Sequence, residues 1–393
     1  MNVPHHRQRA STGWIPELDG LRAVAVIAVM LSHWAPLTPH HAETAGEAGV
    51  NCFFVLSGYL ITQILLQCRE AENRKHALFA FYARRSLRIF PVYYSTIAVT
   101  WWLRALPDDE ETLWHLCYAS NIYFFQAEAW GGSASHFWSL AVEEQFYLLW
   151  PLVVLFVKKK WLRLAPEITI LLGLAGRVAG HVGFPENPFW RLLPRANLTP
   201  FGLGAAIAFK RLTPAMLGRY PLGGLSTLLS VSLATQVDRS QDTLTSELLL
   251  LFTQVSSAYF IAELVAGASG SFGQALRLSP LTRIGRISYS LYLLHNFAWI
   301  PQQRLERATS IEVLGAGWIA VGTSFCLTFS GACLSWILVE APLLRLKNHF
   351  PYTKPPAKRR HARVVRRQPP METCPTPSSD KQAVADDTIS RLS

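Results

Sequence analysis

The sequence predicts an all-α protein, a polytopic membrane helix bundle with about ten transmembrane helices. Two features of the composition support this prediction. Half of the 393 residues are hydrophobic and only 16% are charged, whereas soluble domains have about 25% of their residues charged. The chain also contains 13 Trp, 12 Tyr and 21 Phe, and amphipathic aromatic residues gather where a bilayer meets water. The composition therefore argues against a soluble globular protein.

The spans follow from the length of the apolar stretches, because roughly 20 apolar residues cross a hydrocarbon core of about 30 Å. The fifth candidate carries Glu167 and Arg177, and the sixth is short. The predicted spans lie near 21–37, 49–67, 89–106, 138–157, 164–181, 196–209, 219–237, 246–266, 285–302 and 313–339.

The positions of the basic residues explain the net charge of +11. Most of them cluster in short stretches between the apolar runs or beyond Arg345, which is the pattern of the positive-inside rule. This pattern indicates contact with membrane lipids rather than with a nucleic acid, and it predicts that both termini are cytoplasmic. We expect a membrane domain over residues 1–350 and a disordered basic cytoplasmic tail over 351–393, because the tail has no apolar periodicity.

The cysteines and histidines give little support for a metal centre. The six cysteines contain no CxxC pair, so neither a disulfide framework nor a zinc site is predicted. Ligation by His33, His136 and Glu143 has no ligand-pair spacing behind it. We therefore expect no metal.

The first span carries two ionisable residues, Arg22 at its entrance and His33 eleven residues later. On a helix this spacing puts His33 about 16 Å further into the membrane on nearly the same face. Ionisable groups at that depth are costly, so function is the default hypothesis. A single histidine that is hydrogen-bonded within the helix bundle is the alternative.

Two adjacent carboxylates, Glu143 and Glu144, interrupt the aromatic start of the fourth span. On a helix they point about 100° apart, so we expect no more than one of them to share a cavity with a given partner. A carboxylate there can orient an imidazole and raise its basicity. The alternative is a pair of acidic residues that stabilises the start of a helix.

Arg84, Arg85 and Arg88 lie at the predicted cytoplasmic start of the third span. Arg85 and Arg88 are one helical turn apart, so both guanidinium groups can bind one polyphosphate. As plain topology determinants the same arginines need no ligand.

Together these stretches resemble the membrane-bound acyltransferase 3 family of sugar and glycan O-acyltransferases, in its stand-alone form. Five segments carry the resemblance, in the family's order and over about residues 14–345. They are IPELDGLRAVAVIAVMLSHW with Arg22-x10-His33, GVNCFFVLSGYLIT, FYARRSLRIFPVYY with Arg85-x2-Arg88, HFWSLAVEEQFYLLWP with Glu143, and IGRISYSLYLLHNF.

The resemblance implies an enzyme of the cytoplasmic membrane of a bacterium. It would move an acyl group, commonly acetyl, from cytoplasmic acyl-coenzyme A to a hydroxyl of a carbohydrate acceptor, free or lipid-linked. Carried over residue by residue, His33 would be the catalytic histidine and Arg22 the partner residue of its motif. Arg85 and Arg88 would bind the phosphates of the coenzyme, and Glu143 would be a supporting acid.

Two other classes of protein remain open at this stage. A small-solute or glycan transporter would also have about ten spans with buried ionisable residues, and it would favour internal repeats and broken helices. No repeat is visible, although Pro200, Gly202 and Gly204 interrupt the sixth span. A glycan-binding membrane scaffold would have no need for a histidine at depth.

Overall fold

All regular structure in the described part of the chain is helical. A computed structural model describes residues 14–36, 39–104, 109–213, 243–267, 270–302 and 317–352. The α-helices in these ranges are α1 Pro16–Trp34, α2 Pro39–Arg69, α3 Arg74–Trp102, α4 Asp109–Leu116, α5 Ser120–Ala127, α6 Phe137–Phe156, α7 Lys159–Leu162, α8 Ala165–Gly183, α9 Leu198–Ala208, α10 Thr243–Val265, α11 Ser271–Leu276, α12 Ser279–Arg286, α13 Ser288–Leu294, α14 Gly317–Ser335 and α15 Ala341–Arg345. Short 3₁₀ helices lie at Gly132–Ala134, Pro188–Leu192, Pro194–Asn197, His295–Phe297 and Leu346–His349, and a π turn at Trp336–Glu340.

Four of these helical stretches are long and apolar enough to cross a membrane, as expected of an integral membrane protein. They are Glu43–Arg69, Phe137–Phe156, Leu244–Val265 and Gly317–His349, and they correspond to the second, fourth, eighth and tenth predicted spans. Helices α1, α3 and α8 have 19, 29 and 19 residues but carry charged side chains. The total of ten spans stays a prediction.

Three predicted spans differ from the observed helices. The sixth is α9, whose 11 residues rise only about 16 Å. The ninth is not one helix, because the backbone leaves helical geometry at Ile287 and the stretch is divided among α12, α13 and the 3₁₀ turn at His295–Phe297. The third begins at Arg74 rather than at residue 89. The seventh, 219–237, lies outside the described residues, as does the chain from residue 353 onward with nearly all of the predicted tail.

Helix α2 is the central element, since it packs against α1, α6, α9 and α10. Its contact with α9 depends on two glycines. A Cβ atom on Gly58 would lie 2.3 Å from the carbonyl oxygen of Phe201, and one on Gly204 would lie 2.1 Å from that of Val55. Small residues allow such close packing of helices in membranes. Helix α9 is unbroken across Pro200, Gly202 and Gly204, so these residues do not mark the broken helix expected of a transporter.

The charged residues of the fifth span have partners. Arg177 donates through Nη2 to Glu247 of α10 at 2.7 Å, and the Nε2 atom of His181 lies 2.9 Å from the same carboxylate. Glu167 lies 3.8 Å from Arg211. Helix α8 therefore enters the bundle as a charged helix whose ionisable groups are paired, which lowers the cost of their burial.

Two arginines that flank the loop between α2 and α3 have a structural role. Arg69 donates to the carbonyl oxygens of Val154 and Val157, the latter at 2.6 Å, and Arg74 donates to that of Leu155 at 3.2 Å. These carbonyls belong to the last turn of α6, which has no further helical donors. The arginines thus cap α6 and fix it against the start of α3.

Candidate active site

A cavity of about 260 Å³ lies between α1, α2, α3, α6 and α13. Four of the five residues that the sequence assigns to a site line it, namely Arg22, Arg85, Arg88 and Glu143. Much of the remaining wall is apolar and belongs to α2. The structure therefore brings together, in one enclosed place, residues from three separate segments of the sequence.

Arg85 and Glu143 form the centre of this cavity. The Nη2 atom of Arg85 lies 3.9 Å from Oε1 of Glu143, and the guanidinium carbon lies 3.8 Å from the centroid of the Tyr147 ring. Glu143 accepts hydrogen bonds from the hydroxyls of Ser57 and Tyr147. These contacts hold the carboxylate and the guanidinium in fixed positions relative to each other.

The charges of Arg22 and Arg88 are balanced to different extents. Arg22 is bound by Asp19, with 3.1 Å between Nη1 and Oδ1, and Asp19 also accepts a hydrogen bond from Trp14 at 2.7 Å. Arg88 has no hydrogen bond and no carboxylate within 4.0 Å among the described residues. Arg88 is therefore the one arginine of the cavity without a direct ion-pair partner among the described residues.

Both adjacent carboxylates, Glu143 and Glu144, line the cavity, so the expectation that no more than one would share it is wrong. Only Glu143 lies within ion-pair distance of Arg85. Adjacent side chains on a helix point about 100° apart. Both can still line this cavity, because its wall is formed by several helices and extends around more of α6 than that angle. Among the described residues Glu143 makes no contact with an imidazole; it pairs with an arginine instead.

His33 lies away from these residues, next to the last residue of α1. It lies eleven positions after Arg22, which corresponds to about 16 Å along the helix. The side chain is exposed. Its Nδ1 atom donates to the carbonyl oxygen of Val29 at 2.9 Å. This hydrogen bond fixes the tautomer and leaves Nε2 as the proton acceptor.

His295 packs beside His33, and His136 packs against His295. The His295 ring centroid lies 4.8 Å from that of His33 and 4.6 Å from that of His136. His295 donates through Nδ1 to the carbonyl oxygen of Tyr292, and its buried Nε2 has no hydrogen-bond partner in the part of the chain that the structure describes. The three imidazoles, which we call the histidine cluster, belong to three segments that are far apart in the sequence.

His136 is fully hydrogen-bonded. Its Nε2 donates to the carbonyl oxygen of Leu293 at 3.1 Å, and its Nδ1 lies 3.2 Å from the side-chain nitrogen of Asn296. Burial lowers the pKa of His136 to about 3, so this imidazole is neutral near pH 7. Within the described ranges no group of three His, Cys, Asp or Glu side chains is arranged to hold a metal ion.

Tyr292 and Ser139 lie between the cavity and the histidine cluster. Both residues line the cavity, and their hydroxyl oxygens are 2.5 Å apart. The Tyr292 hydroxyl also donates to the carbonyl oxygen of His136 at 3.3 Å. These two residues therefore form the part of the cavity wall that lies next to the histidine cluster.

Comparison with known proteins assigns the family. A family model described as an acyltransferase domain, the acyltransferase 3 family, matches residues 15–340, a range that includes the cavity and the histidine cluster. The chain belongs to this acyltransferase family. Membership favours an acyltransferase over the transporter and the scaffold that the sequence left open.

Curated relatives of this acyltransferase carry related names. Peptidoglycan O-acetyltransferase OatA of Listeria monocytogenes is 32% identical over 87% of this chain and 57% of the relative. The putative peptidoglycan O-acetyltransferase YrhL of Bacillus subtilis is 32% identical over 74% of this chain and 48% of its own length. O-acetyltransferase OatA of Staphylococcus aureus is 28% identical over 72% and 50%. The chain thus spans about half the length of these relatives. No solved structure matches it significantly.

Sequence reasoning missed several residues of the acyltransferase site, namely Ser57, Ser139, Tyr147, Tyr292 and His295. Each is a polar side chain within an apolar stretch, and each lies in one of the five segments that carried the family resemblance. Tyr147 is four residues after Glu143, so the two share a helix face. This four-residue spacing therefore indicated that Tyr147 and Glu143 are neighbours. The pairing of Tyr292 with Ser139, 153 residues apart, had no such signal.

Proposed function

We propose that this protein is a multi-pass membrane O-acyltransferase that moves an acyl group, acetyl in the first instance, from cytoplasmic acyl-coenzyme A to a hydroxyl of a glycan. One observation carries the proposal: in a chain of the acyltransferase family, Arg22, Arg85, Arg88 and Glu143 line a single cavity that adjoins a histidine cluster. The names of the relatives make peptidoglycan the first acceptor to test.

The end of the cavity that carries the arginines suits the phosphates of the donor. Its arginines lie toward the ends of α1 and α3 that we assign to the cytoplasm, where the phosphates of coenzyme A arrive, and guanidinium groups bind phosphates through paired hydrogen bonds. The volume of about 260 Å³ is below the usual ~300–1,000 Å³ of ligand pockets. Such a space suits the slim pantetheine arm, with the nucleotide remaining at the mouth.

His33 is the general base in this proposal. Its Nδ1–H is bound to Val29, so Nε2 can take the proton of the acceptor hydroxyl. The hydroxyl oxygen then forms a bond with the thioester carbonyl carbon, the carbon–sulfur bond breaks, and the departing thiolate takes up the proton that His33 had accepted as coenzyme A leaves. The neighbouring ring of His295 packs against His33 and limits the movement of the imidazole.

Glu143 and Arg22 act at a distance from the reacting atoms. Glu143 holds Arg85 over the face of the Tyr147 ring, and this keeps the guanidinium in the cavity. Arg22 is about 16 Å along α1 from His33, so we assign it to the donor end, beside Asp19. The sequence had treated it as a partner of the catalytic histidine.

The proposed topology has ten spans with both termini cytoplasmic. Since α1 then starts in the cytoplasm, its last turn with His33 faces the opposite side of the membrane. A glycan on that side meets the exposed edge of the imidazole, while the donor enters from the cytoplasm. The arrangement lets a cytoplasmic thioester acylate an acceptor outside the cell, and it explains why the two groups of residues lie at opposite ends of α1.

The test is acetyl transfer by purified protein. Full-length protein in detergent or nanodiscs receives acetyl-coenzyme A with a labelled acetyl group and soluble peptidoglycan fragments, and alkali-labile ester is measured by mass spectrometry. Transfer by the parent protein and its loss in His33→Gln at equal monodispersity support the proposal. Normal binding of glycan without any ester from acetyl-coenzyme A would reject it.

A further inference from the structure

Two tryptophans, Trp34 and Trp299, lie next to the histidine cluster and keep part of their surface exposed. Trp34 directly follows His33 in the chain, and its ring centroid lies 6.2 Å from that of His295. Trp299 comes four residues after His295 and is 43% exposed. Both indoles therefore border the histidines while leaving ring surface open to a ligand.

The indole of Trp299 is fixed in one orientation. Its Nε1 donates to the hydroxyl oxygen of Ser133 at 2.7 Å. Ser133 belongs to the 3₁₀ turn Gly132–Ala134, which packs against the 3₁₀ turn His295–Phe297. Because Ser133 comes three residues before His136, this hydrogen bond joins the segments of two histidines of the cluster. A ring that is already ordered binds a ligand at a lower entropic cost.

The third segment of the cluster meets the other two at the same place. Helix α1 also contacts the turn His295–Phe297, and it brings the exposed imidazole of His33 there. The three segments thus share one border, which we call the tryptophan rim and which consists of Trp34, Ser133 and Trp299.

Exposed tryptophans at the ends of membrane spans commonly anchor a protein at the interface between lipid and water. Trp102, the last residue of α3, is 75% exposed and has the position of such an anchor. Trp299 differs from an anchor in the use of its N–H group. An interfacial indole offers this group to water and headgroups, whereas Trp299 donates it to Ser133 within the protein. The part of Trp299 that remains for a ligand is the face of its ring.

We propose that the tryptophan rim binds a sugar ring of the acceptor, with the indole of Trp299 packed against the apolar face of a pyranose. This inference rests on the proposed function and deepens it, because it names residues that bind the acceptor. The C–H groups on one face of a pyranose carry a slight positive charge and pack on the negative face of an aromatic ring. Trp34 forms the second wall beside His33, and Ser133 is a positioning residue that holds Trp299.

The experiment measures acceptor binding without any acyl transfer. Full-length purified protein in nanodiscs is titrated with a soluble disaccharide fragment of peptidoglycan in the absence of donor. The variants are Trp299→Ala, Trp299→Phe, Trp34→Ala and Ser133→Ala. Trp102→Ala is the matched control, since it removes an exposed indole that the proposed topology puts on the same side of the membrane.

We expect Trp299→Ala and Trp34→Ala each to weaken fragment binding by about three- to tenfold, as for the loss of one aromatic contact. Trp299→Phe keeps most of the affinity because it keeps a ring. Ser133→Ala weakens binding less than Trp299→Ala does, since the indole is still present but no longer held. Trp102→Ala binds the fragment as the parent does. Thermal unfolding of each variant reports whether the protein is still folded.

Steady-state acetyl transfer provides a second readout. In Trp299→Ala we expect the KM for the fragment to rise by the same factor as the dissociation constant, while kcat and the KM for acetyl-coenzyme A keep their parental values. A residue with a structural role alone would instead lower kcat or change the response to the donor. The split between the two KM values therefore separates acceptor binding from folding.

Parental fragment affinity in a folded Trp299→Ala protein overturns the inference, and so does an equal loss in Trp102→Ala. A defect limited to membrane insertion or thermal stability would assign Trp299 to the membrane interface and overturn it as well. Absence of fragment binding to the parent protein has the same consequence. The proposed function fails separately: a parent protein that binds the fragment in a Trp299-dependent way but forms no ester has the sugar site without the acyl transfer.

Discussion

The guanidinium of Arg85 lies between the carboxylate of Glu143 and the ring of Tyr147, 3.9 Å from Oε1 of Glu143 and 3.8 Å from the ring centroid. Arg88, one helical turn further along α3, has no such partner among the described residues. The two arginines of one short motif therefore differ in chemistry. Arg85 belongs to a balanced network inside the cavity, whereas Arg88 is available for an anionic ligand.

Replacement of Glu143 tests the network around Arg85. Glu143→Gln keeps the shape of the side chain but removes the charge opposite Arg85 and changes the acceptor of the Ser57 and Tyr147 hydroxyls. We expect acyl transfer to fall by about ten- to a hundredfold, as for the loss of a charge-assisted contact. Glu144→Gln is the matched control, because Glu144 lines the same cavity without pairing with Arg85. An equal defect in both variants would contradict the network.

Replacement of the arginines tests the difference between them. We expect Arg85→Ala and Arg88→Ala both to raise the donor concentration needed for half-maximal rate, by about ten- to a hundredfold. Excess donor should restore the rate of Arg88→Ala nearly fully. It should restore that of Arg85→Ala only in part, because Glu143 then loses its partner. Steady-state kinetics over a range of acetyl-coenzyme A concentrations measures both parameters. Unchanged donor affinity together with an altered topology would return these arginines to a role in membrane orientation.

Replacement of His33 tests its role as a base. His33→Ala and His33→Gln put a neutral residue at the end of α1 and should leave the protein folded. Loss of a general base slows turnover by about 10² to 10⁴. His349→Gln is a matched control, since His349 is an exposed histidine at the end of the 3₁₀ helix Leu346–His349. Ester formation with labelled donor at equal expression and monodispersity is the measurement, and near-normal turnover of His33→Ala would disprove the assignment.

Replacement of the close-packed glycines tests the contact between α2 and α9. Gly58→Ala and Gly204→Ala would bring a Cβ atom to 2.3 and 2.1 Å from a backbone oxygen, so one helix must move. We expect a loss of stability of about 1–3 kcal/mol, as for overpacking in a core. Gly322→Ala is the control, because nothing lies within 4 Å of its added Cβ. Thermal unfolding in detergent compares the three variants, and equal midpoints would contradict the packing.

Reporter fusions test the topology. If ten spans return the chain to the cytoplasm, reporters fused after Lys160 and after Arg367 both give a cytoplasmic signal. The physical reason is that basic loops are retained on the cytoplasmic side of the membrane. An external signal at either position would also remove the argument that Arg88 meets a cytoplasmic donor.

The sequence by itself predicted the all-helical membrane class and the family. Composition determines the class, because a chain in lipid must satisfy its backbone within helices and needs few charges. The sequence also named Arg22, Arg85, Arg88 and Glu143, since ionisable residues stand out in apolar stretches. Arg85 and Arg88 were paired by a spacing of one helical turn, whereas Arg22 depended on its spacing to His33 and on the resemblance of five segments to the family.

The tertiary structure decided which of these residues meet. Arg85 pairs with Glu143, His33 lies with His136 and His295 instead, and Lys347 returns to α3 through the hydrogen bonds of Arg84. None of these pairings has a sequence periodicity, because the partners come from helices separated by tens to hundreds of residues. Their distances depend on how closely the helices pack, which side-chain volume sets at positions such as Gly58 and Gly204.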